Sequence, residues 1–284
     1  RKFGPSEFNE DYSTWRPDSK YELYKEKFWE WMEKNSEHVQ ILQVLGGEPL
    51  YQKEFEQCLD FFDRHPRPNL VYRSFSNLKH DPEKFKAKIQ RVQNLIDQGK
   101  LKRMEFVCSI DCWGPEIEYV RDGLILTEWE QNMNTLLNSP GVGVLIHATL
   151  TALTLPTLHQ LIEKTNEWRK IKPTVGINWN TVVRPSTFNL YNFGKYLAPF
   201  IDAPIKALEN YSDPIEKEKL QTHLMGIQQQ LLTTPTNKKE VNDFANFLAD
   251  IDKRRNRDWK AIFPQIVDII NTINKEEPDY VQVD

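Results

Sequence analysis

Short runs of branched and aromatic residues alternate with helical segments up to residue 183, and this alternation limits the possible folds most strongly. The strand-like runs cover residues 39–45, 70–76, 103–111, 143–153 and 174–183. The segments between them are too long for hairpins and show apolar residues at helical spacing, such as Phe85, Ile89 and Val92. Because parallel strands need crossover helices, the sequence predicts an α/β fold, either a sheet or a barrel.

Helical patterns flank this alternating region on both sides. One helix is predicted at 19–34, ahead of the first strand. Beyond residue 186 the strand-like runs stop, and the remaining segments with helical patterns are 195–209, 213–232, 237–253 and 259–274. We therefore divide the chain into an α/β core, residues 1–185, and a helical C-terminal region, residues 186–284.

Charge and composition exclude several classes of protein. The 284 residues carry a formal net charge of −4, which argues against a surface that binds nucleic acid. Apolar runs stay well below the roughly 18 residues of a membrane span. The three cysteines, Cys58, Cys108 and Cys112, are too few for a disulfide scaffold. We therefore expect a cytoplasmic protein in a reducing compartment, with no membrane partner.

Polar side chains collect where the predicted strands end, which is where parallel α/β folds bind ligands. On the last three strands these residues are Ser109, Asp111, His147, Thr149, Thr151, Asn178 and Asn180. Burying such groups without partners costs roughly 1–3 kcal/mol each, so a polar ligand would stabilise them. His147 lies in the middle of its strand, and we expect it to be a hydrogen-bonded core residue rather than a ligand-facing one.

The most specific local feature is the sequence Gly46-Gly47-Glu48-Pro49, directly after the first strand. Two glycines allow positive φ angles or a close approach of a ligand to the backbone. A tight turn into a helix, with Glu48 as a carboxylate at the helix N-terminus, explains the same residues. The motif alone leaves both interpretations open.

The order of three strand-end motifs resembles radical S-adenosylmethionine enzymes. These motifs are GGEP at 46–49, Ser76-Asn77 after the second strand, and Ser109-Ile110-Asp111 followed by the run EYVRDG at 118–123. The resemblance covers roughly residues 39–185. It implies a partial (β/α)6 barrel, a 4Fe-4S cluster, an electron donor, and reductive cleavage of S-adenosylmethionine to a 5′-deoxyadenosyl radical.

The resemblance also implies roles for individual residues. Gly46, Gly47 and Glu48 are similar to the element that pairs with the methionine ammonium group. Pro49 by itself suits the first turn of the helix that is predicted to follow. Ser76 and Asn77 occupy the place of a Thr-Asn-Gly turn, although Leu78 stands where the family has glycine.

Later positions match the family as well. Ser109 and Asp111 are similar to residues that face the ribose and methionine groups, and Arg121 matches an arginine that meets the methionine carboxylate. Asn178, on the last strand, completes the predicted cofactor-binding set.

The chain departs from the family at the cluster ligands, because no C-x3-C-x2-C motif occurs in it. Cys108 and Cys112 lack a third partner, and Cys58 falls in an apolar helical stripe. No metal ligands are therefore assigned here. The chain also lacks an initiating Met, and its barrel-like pattern begins with what resembles a second strand. We expect a truncated chain, with the first strand and the cluster cysteines outside it.

The substrate stays open, with a peptide as the leading expectation because the C-terminal region resembles a twitch-type extension. No cysteine follows Cys112, so we expect no auxiliary cluster there. Two alternatives remain. One is a non-catalytic module that binds S-adenosylmethionine and has lost its cluster. The other is an ordinary α/β-barrel hydrolase that uses Glu48 and Asp111 as an acid/base pair.

Overall fold

The structure, a computed structural model, describes residues 20–277, and their strands form one parallel sheet. The strands are β1 (Ile41–Val44), β2 (Arg67–Ser76), β3 (Leu101–Ser109), β4 (Val142–Leu150) and β5 (Gly176–Thr181). They lie side by side in chain order, and every neighbouring pair is parallel. The predicted α/β class is confirmed.

Helices lead into and connect the strands, as the alternation predicts. They are α1 (Tyr21–Asn35), α2 (Lys53–Arg64), α3 (Pro82–Asp97), α4 (Glu116–Val120), α5 (Leu126–Leu137) and α6 (Leu158–Ile171). The start of α3 follows from local chemistry: the Asp81 side chain accepts a hydrogen bond from the Lys84 N–H at 3.0 Å, and Pro82 begins the first turn.

Only helices and turns follow β5 in the part of the chain that the structure describes. The helices are α7 (Asp202–Ala207), α8 (Pro214–Thr233), α9 (Lys238–Arg255), α10 (Trp259–Ile262) and α11 (Pro264–Glu276). None of the helices between residues 20 and 277 combines the length and apolar character needed to cross a membrane.

Two of the predicted helices are wrong in their extent. The segment 195–209 consists mainly of short 3-10 turns around α7, because Gly194 at φ +52° interrupts the helical backbone ahead of it. The segment 259–274 is divided before Pro264, which has no N–H to continue the preceding helix.

The helical region packs on the sheet layer through a few specific contacts. The Tyr119 hydroxyl donates to Asp252 Oδ1 at 2.8 Å, and the Tyr119 ring packs edge-on against Phe263 at 5.4 Å. Trp179 of β5 stacks against His223 of α8, with ring centroids 6.0 Å apart. These contacts join the two predicted parts of the chain in one packed structure.

The two faces of the sheet have different environments. On one face, Tyr72 packs against Phe55 and Phe62 of α2, and Phe106 packs against Phe85 of α3. Most side chains on the opposite face are half-buried or exposed, and they line a cavity of about 780 Å³. We call this second face the open face; its central residues are Arg73, Phe75, Glu105, Leu145, His147 and Asn178.

The strands end earlier than their patterns predict. β4 stops at Leu150 rather than at residue 153, because Thr151 and Thr154 form a turn in which the Thr154 hydroxyl accepts from the Thr151 N–H at 2.9 Å. β3 likewise stops at Ser109, so Asp111 lies beyond the strand. Thr151 and Asp111 are therefore loop residues, and the two-residue alternation of a strand does not decide where their side chains point.

Candidate functional site

The turn after β1 contains two glycines in conformations that side chains disfavour. Gly46 has φ +105° and Gly47 has φ +49°, and a Cβ atom built on either glycine would meet no atom of residues 20–277 within 4 Å. Within the described part of the chain, the backbone conformation alone therefore requires these glycines. Glu48 then returns to an extended conformation, and Pro49 starts a 3-10 turn that ends at Tyr51.

Replacing Gly46 with Ala should lower the free energy of unfolding by about 1–2 kcal/mol, because only the φ angle resists the substitution. The control is Gly226→Ala in the middle of α8, where a Cβ also meets no described residue within 4 Å but φ is helical. Alanine there should stabilise the protein by about 0.5–1 kcal/mol. Urea unfolding measures both values. Two changes of the same sign would contradict the assigned backbone.

Glu48 is buried and connects the loop after β1, the first loop, to the loop after β2, the second loop. Its Oε2 accepts a hydrogen bond from the Asn77 N–H at 2.7 Å. Its Oε1 lies 3.3 Å from His80 Nε2, but the two atoms are not aligned for a hydrogen bond, and each lacks another partner among the described residues. Among residues 20–277, the buried Oε1 therefore receives no hydrogen bond and has the His80 ring as a neighbour.

The second loop is built by its own side chains. The Ser76 hydroxyl accepts from the Leu78 N–H at 3.0 Å, and Asn77 Oδ1 accepts from the Lys79 N–H at 2.9 Å. Leu78 has φ +51° although it is not glycine, and its side chain is fully buried. The backbone therefore has the conformation that a glycine would favour at this position, while leucine adds apolar packing.

Asn132 of α5 donates hydrogen bonds to the backbone of this second loop. Its Nδ2 donates to the Leu78 carbonyl at 3.0 Å and to the His80 carbonyl at 2.8 Å, and the side chain is fully buried. Neither Asn132 nor His80 was identified from the sequence. An asparagine among the apolar residues of an amphipathic helix is the signal that could have indicated Asn132, since a buried amide needs a partner.

Asp111 and Arg121 form a two-pronged ion pair in the third loop. Arg121 Nε lies 2.7 Å from Asp111 Oδ2, and Nη2 lies 2.9 Å from Oδ1. Oδ1 also accepts from the Thr149 N–H at 2.8 Å, which joins the third loop to the end of β4. Asp111 is buried, whereas the Arg121 side chain is 26% exposed.

The ion pair bears on two of the predicted roles. Both Asp111 oxygens are occupied by protein donors, so this carboxylate is poorly placed for the acid/base work of the hydrolase alternative. Arg121 uses its Nε–H and one N–H of Nη2 on Asp111, so both N–H groups of Nη1 and the second N–H of Nη2 remain for a ligand carboxylate. A separate hydrogen bond connects the second loop to the third, since Lys79 Nζ donates to the Asp122 carbonyl oxygen at 2.8 Å.

Ser109 and Asn178 lie on the open face rather than in these loops. Strand pairing aligns Ser109 with His147 and His147 with Asn178. His147 Nδ1 lies 2.6 Å from Asn178 Oδ1. The expectation that His147 is a core residue is wrong, because no helix between residues 20 and 277 covers this face of the sheet and His147 is only half-buried.

The three cysteines do not form a metal site. All are free and buried, and no group of three potential ligands occurs among residues 20–277. Burial raises the pKa of the Cys58 thiol to about 11 and raises the pKa values of Cys108 and Cys112 as well. Because a cluster needs thiolates, these cysteines do not fit a 4Fe-4S cluster. The predicted core position of Cys58 is confirmed.

We expect the native protein to be nearly inert to Ellman's reagent at pH 8. All three thiols stay protonated and covered, so fewer than about 0.2 equivalents should react in the first minutes. In guanidinium chloride all three should react. Fast reaction of one or more thiols in the native protein would contradict the burial described here.

Comparison with known proteins adds no relative: no family model, curated protein or solved structure matches this chain. Interpretation of the site therefore depends on its own geometry. That geometry joins the loops after β1, β2 and β3 and the end of β4 through Glu48–Asn77, Lys79–Asp122 and Asp111–Thr149 contacts. We use the name carboxyl edge for the loops after β1, β2 and β3 together with Thr149 at the end of β4.

Proposed function

We propose that this chain is the S-adenosylmethionine-binding core of a radical S-adenosylmethionine enzyme, and that its parallel sheet is part of a (β/α)6 barrel. The observation that carries the proposal is the Gly46-Gly47 turn at the carboxyl edge. Both glycines have positive φ, and no atom of residues 20–277 lies within 4 Å of a Cβ built on either; buried Glu48, whose Oε1 accepts no hydrogen bond from those residues, follows directly in the chain. A cationic ammonium group would meet backbone carbonyls and a carboxylate in such a place.

Neighbouring groups fit the rest of the same ligand. An amino acid's carboxylate can pair with Nη1 of Arg121, the guanidinium nitrogen that Asp111 leaves unused. The Ser109 side chain lies on the open face, where a ribose hydroxyl could bond to it. In this role Asp111 positions Arg121 and does not react, which separates the proposal from the hydrolase alternative.

The cluster is a separate matter, because the chain's own cysteines do not fit it. Radical cleavage of S-adenosylmethionine needs a 4Fe-4S cluster, so its ligands would be cysteines outside these 284 residues. The proposal then includes an electron donor, a cytoplasmic location, and a substrate that is still to be identified. If no such ligands exist, the protein is the non-catalytic binding module.

Titration calorimetry of the chain with S-adenosylmethionine tests the binding proposal. We expect saturable binding, weakened about tenfold by Glu48→Gln, because the loss of one charge-assisted contact costs about 1.4 kcal/mol. The matched control is Glu218→Gln on the exposed side of α8, which should bind like the unchanged protein. Absence of saturable heat, or equal binding by the Glu48 and Glu218 variants, would contradict the proposal.

A second assay separates the enzyme from the binding module. A version of the protein that includes the cluster cysteines, reconstituted with iron and sulfide without oxygen, should form 5′-deoxyadenosine when reduced with dithionite. Binding without 5′-deoxyadenosine would favour the non-catalytic module and reject the enzyme.

A further inference from the structure

The open face of the sheet has three layers of different chemistry, which strand pairing sets in register. The layer nearest the carboxyl edge contains Ser109, His147 and Asn178. The middle layer is apolar and aligns Phe75, Val107 and Leu145. The lowest layer aligns Arg73 with Glu105. All but Ser109 line the cavity of about 780 Å³.

The upper layer offers a hydrogen-bond acceptor of defined position. We assign the proton to His147 Nδ1, because Asn178 Oδ1, which lies 2.6 Å away, can only accept. In the neutral ring Nε2 is then an unprotonated acceptor, and it has no protein partner among residues 20–277. The ring is held by its neighbour while its second nitrogen is available to a ligand N–H or O–H group.

Positive groups outnumber carboxylates in the cavity lining, which holds Arg73, Lys102 and Arg103 against Glu105 and Glu216, and Glu216 also pairs with Arg169 at 3.5 Å. Arg73 donates to Glu105 Oε2 at 2.7 Å through Nε, and Arg103 bonds to the other oxygen of the same carboxylate. Two guanidinium groups therefore share one carboxylate. Lys102, on the same cavity wall, is exposed and has no carboxylate partner in the described part of the chain. This end of the cavity favours an anion.

The distance between the His147 layer and the Glu105 layer sets the length of a ligand that contacts both. His147 pairs with Ser109, and Glu105 lies four residues earlier on the same strand, which is about 13 Å along the sheet at 3.3 Å per residue. An extended tetrapeptide spans that length. Its backbone N–H can reach Nε2, small side chains can cover Phe75 and Leu145, and an acidic side chain can reach Arg103.

We propose that the open face binds an extended acidic peptide, with His147 Nε2 accepting a backbone N–H and Arg103 binding the acidic side chain. The peptide site adds a substrate class to the proposed function. It rests on the proposed function only for the reaction that the peptide would undergo. Asn178 is a positioning residue for His147. The peptide site itself depends on the layers described above and needs no bound S-adenosylmethionine.

The test uses two peptides that differ in one charge, acetyl-Ala-Ala-Ala-Glu-amide and acetyl-Ala-Ala-Ala-Gln-amide, without S-adenosylmethionine. In ¹⁵N NMR of the full chain, His147 should be the Nδ1–H tautomer, and the Glu peptide should shift its Nε2 resonance. The Glu peptide should bind at least fivefold more tightly than the Gln peptide, and Arg103→Gln should remove this difference. Asn178→Ala should convert the ring to the Nε2–H tautomer and weaken both peptides.

Three results would overturn the peptide site: an Nε2–H tautomer in the unchanged protein, equal binding of the two peptides, or binding of neither. Because the assay contains no S-adenosylmethionine, its failure leaves the cofactor proposal intact. Loss of S-adenosylmethionine binding, in turn, leaves the peptide result standing. The NMR spectrum of each variant also reports whether it is folded.

Discussion

Arg121→Met is expected to lower the free energy of unfolding by about 2–3 kcal/mol, one of the two largest effects we predict. Asp111 is buried and receives two of its three hydrogen bonds from this guanidinium. Without Arg121 its carboxylate would stay buried with a single donor, the Thr149 N–H. The expected loss of unfolding free energy is smaller than for a fully buried ion pair, because the Arg121 side chain is 26% exposed. Urea unfolding at pH 7 measures the change.

The control for this prediction is Arg254→Met, which removes an exposed ion pair on α9. Arg254 Nη2 lies 3.6 Å from Asp250, and its side chain is 78% exposed, so the change should stay within about 0.5 kcal/mol. Adding Asp111→Asn to Arg121→Met should recover part of the lost stability, because it removes the unpaired charge. Similar values for the Arg121 and Arg254 variants would disprove the structural role of the Arg121–Asp111 pair.

Leu78→Ala is expected to cost about 3 kcal/mol, since the side chain is fully buried and its removal leaves a cavity. The positive φ of Leu78 adds a second, more specific expectation. Leu78→Gly should be as stable as Leu78→Ala or up to about 1 kcal/mol more stable, because glycine adopts φ +51° without strain. At an ordinary position glycine would be the less stable of the two.

Thermal and urea unfolding of the two Leu78 variants measure this order. Leu232→Ala, on the exposed side of α8, is the control and should change stability by less than about 0.5 kcal/mol. If Leu78→Gly is clearly less stable than Leu78→Ala, the turn after β2 does not have the left-handed conformation described here. The likeness to a Thr-Asn-Gly turn would then lose its structural support.

The fold class could be predicted from the sequence because strands and helices differ in period and length. The runs at 70–76 and 103–111 became β2 and β3, and the helix at Asp81-Pro82 begins where its capping residues stand. The ends of the strands could not be predicted. They depend on turns such as Thr151–Thr154, whose side-chain bonds compete with strand pairing.

The sequence predicts the local motifs of the site, but it does not predict which side chains pair with each other. The two glycines at 46 and 47 indicate an unusual backbone by themselves, and both have positive φ. The Asp111–Arg121 pair joins residues ten positions apart across a loop, which no strand or helix period reveals. The sequence does not show which face of the sheet His147 occupies, because alternation indicates that a strand has two faces without showing which one is covered by helices.

Photolabelling tests the central claim, that the carboxyl edge binds S-adenosylmethionine, most directly. Ultraviolet irradiation of the chain with [methyl-³H]S-adenosylmethionine, followed by proteolysis and peptide mapping, locates the bound ligand. We predict label within 46–51, 76–80 or 109–121, and unlabelled S-adenosylmethionine should suppress it. Label confined to 186–277, or label that excess unlabelled ligand does not reduce, would contradict the account.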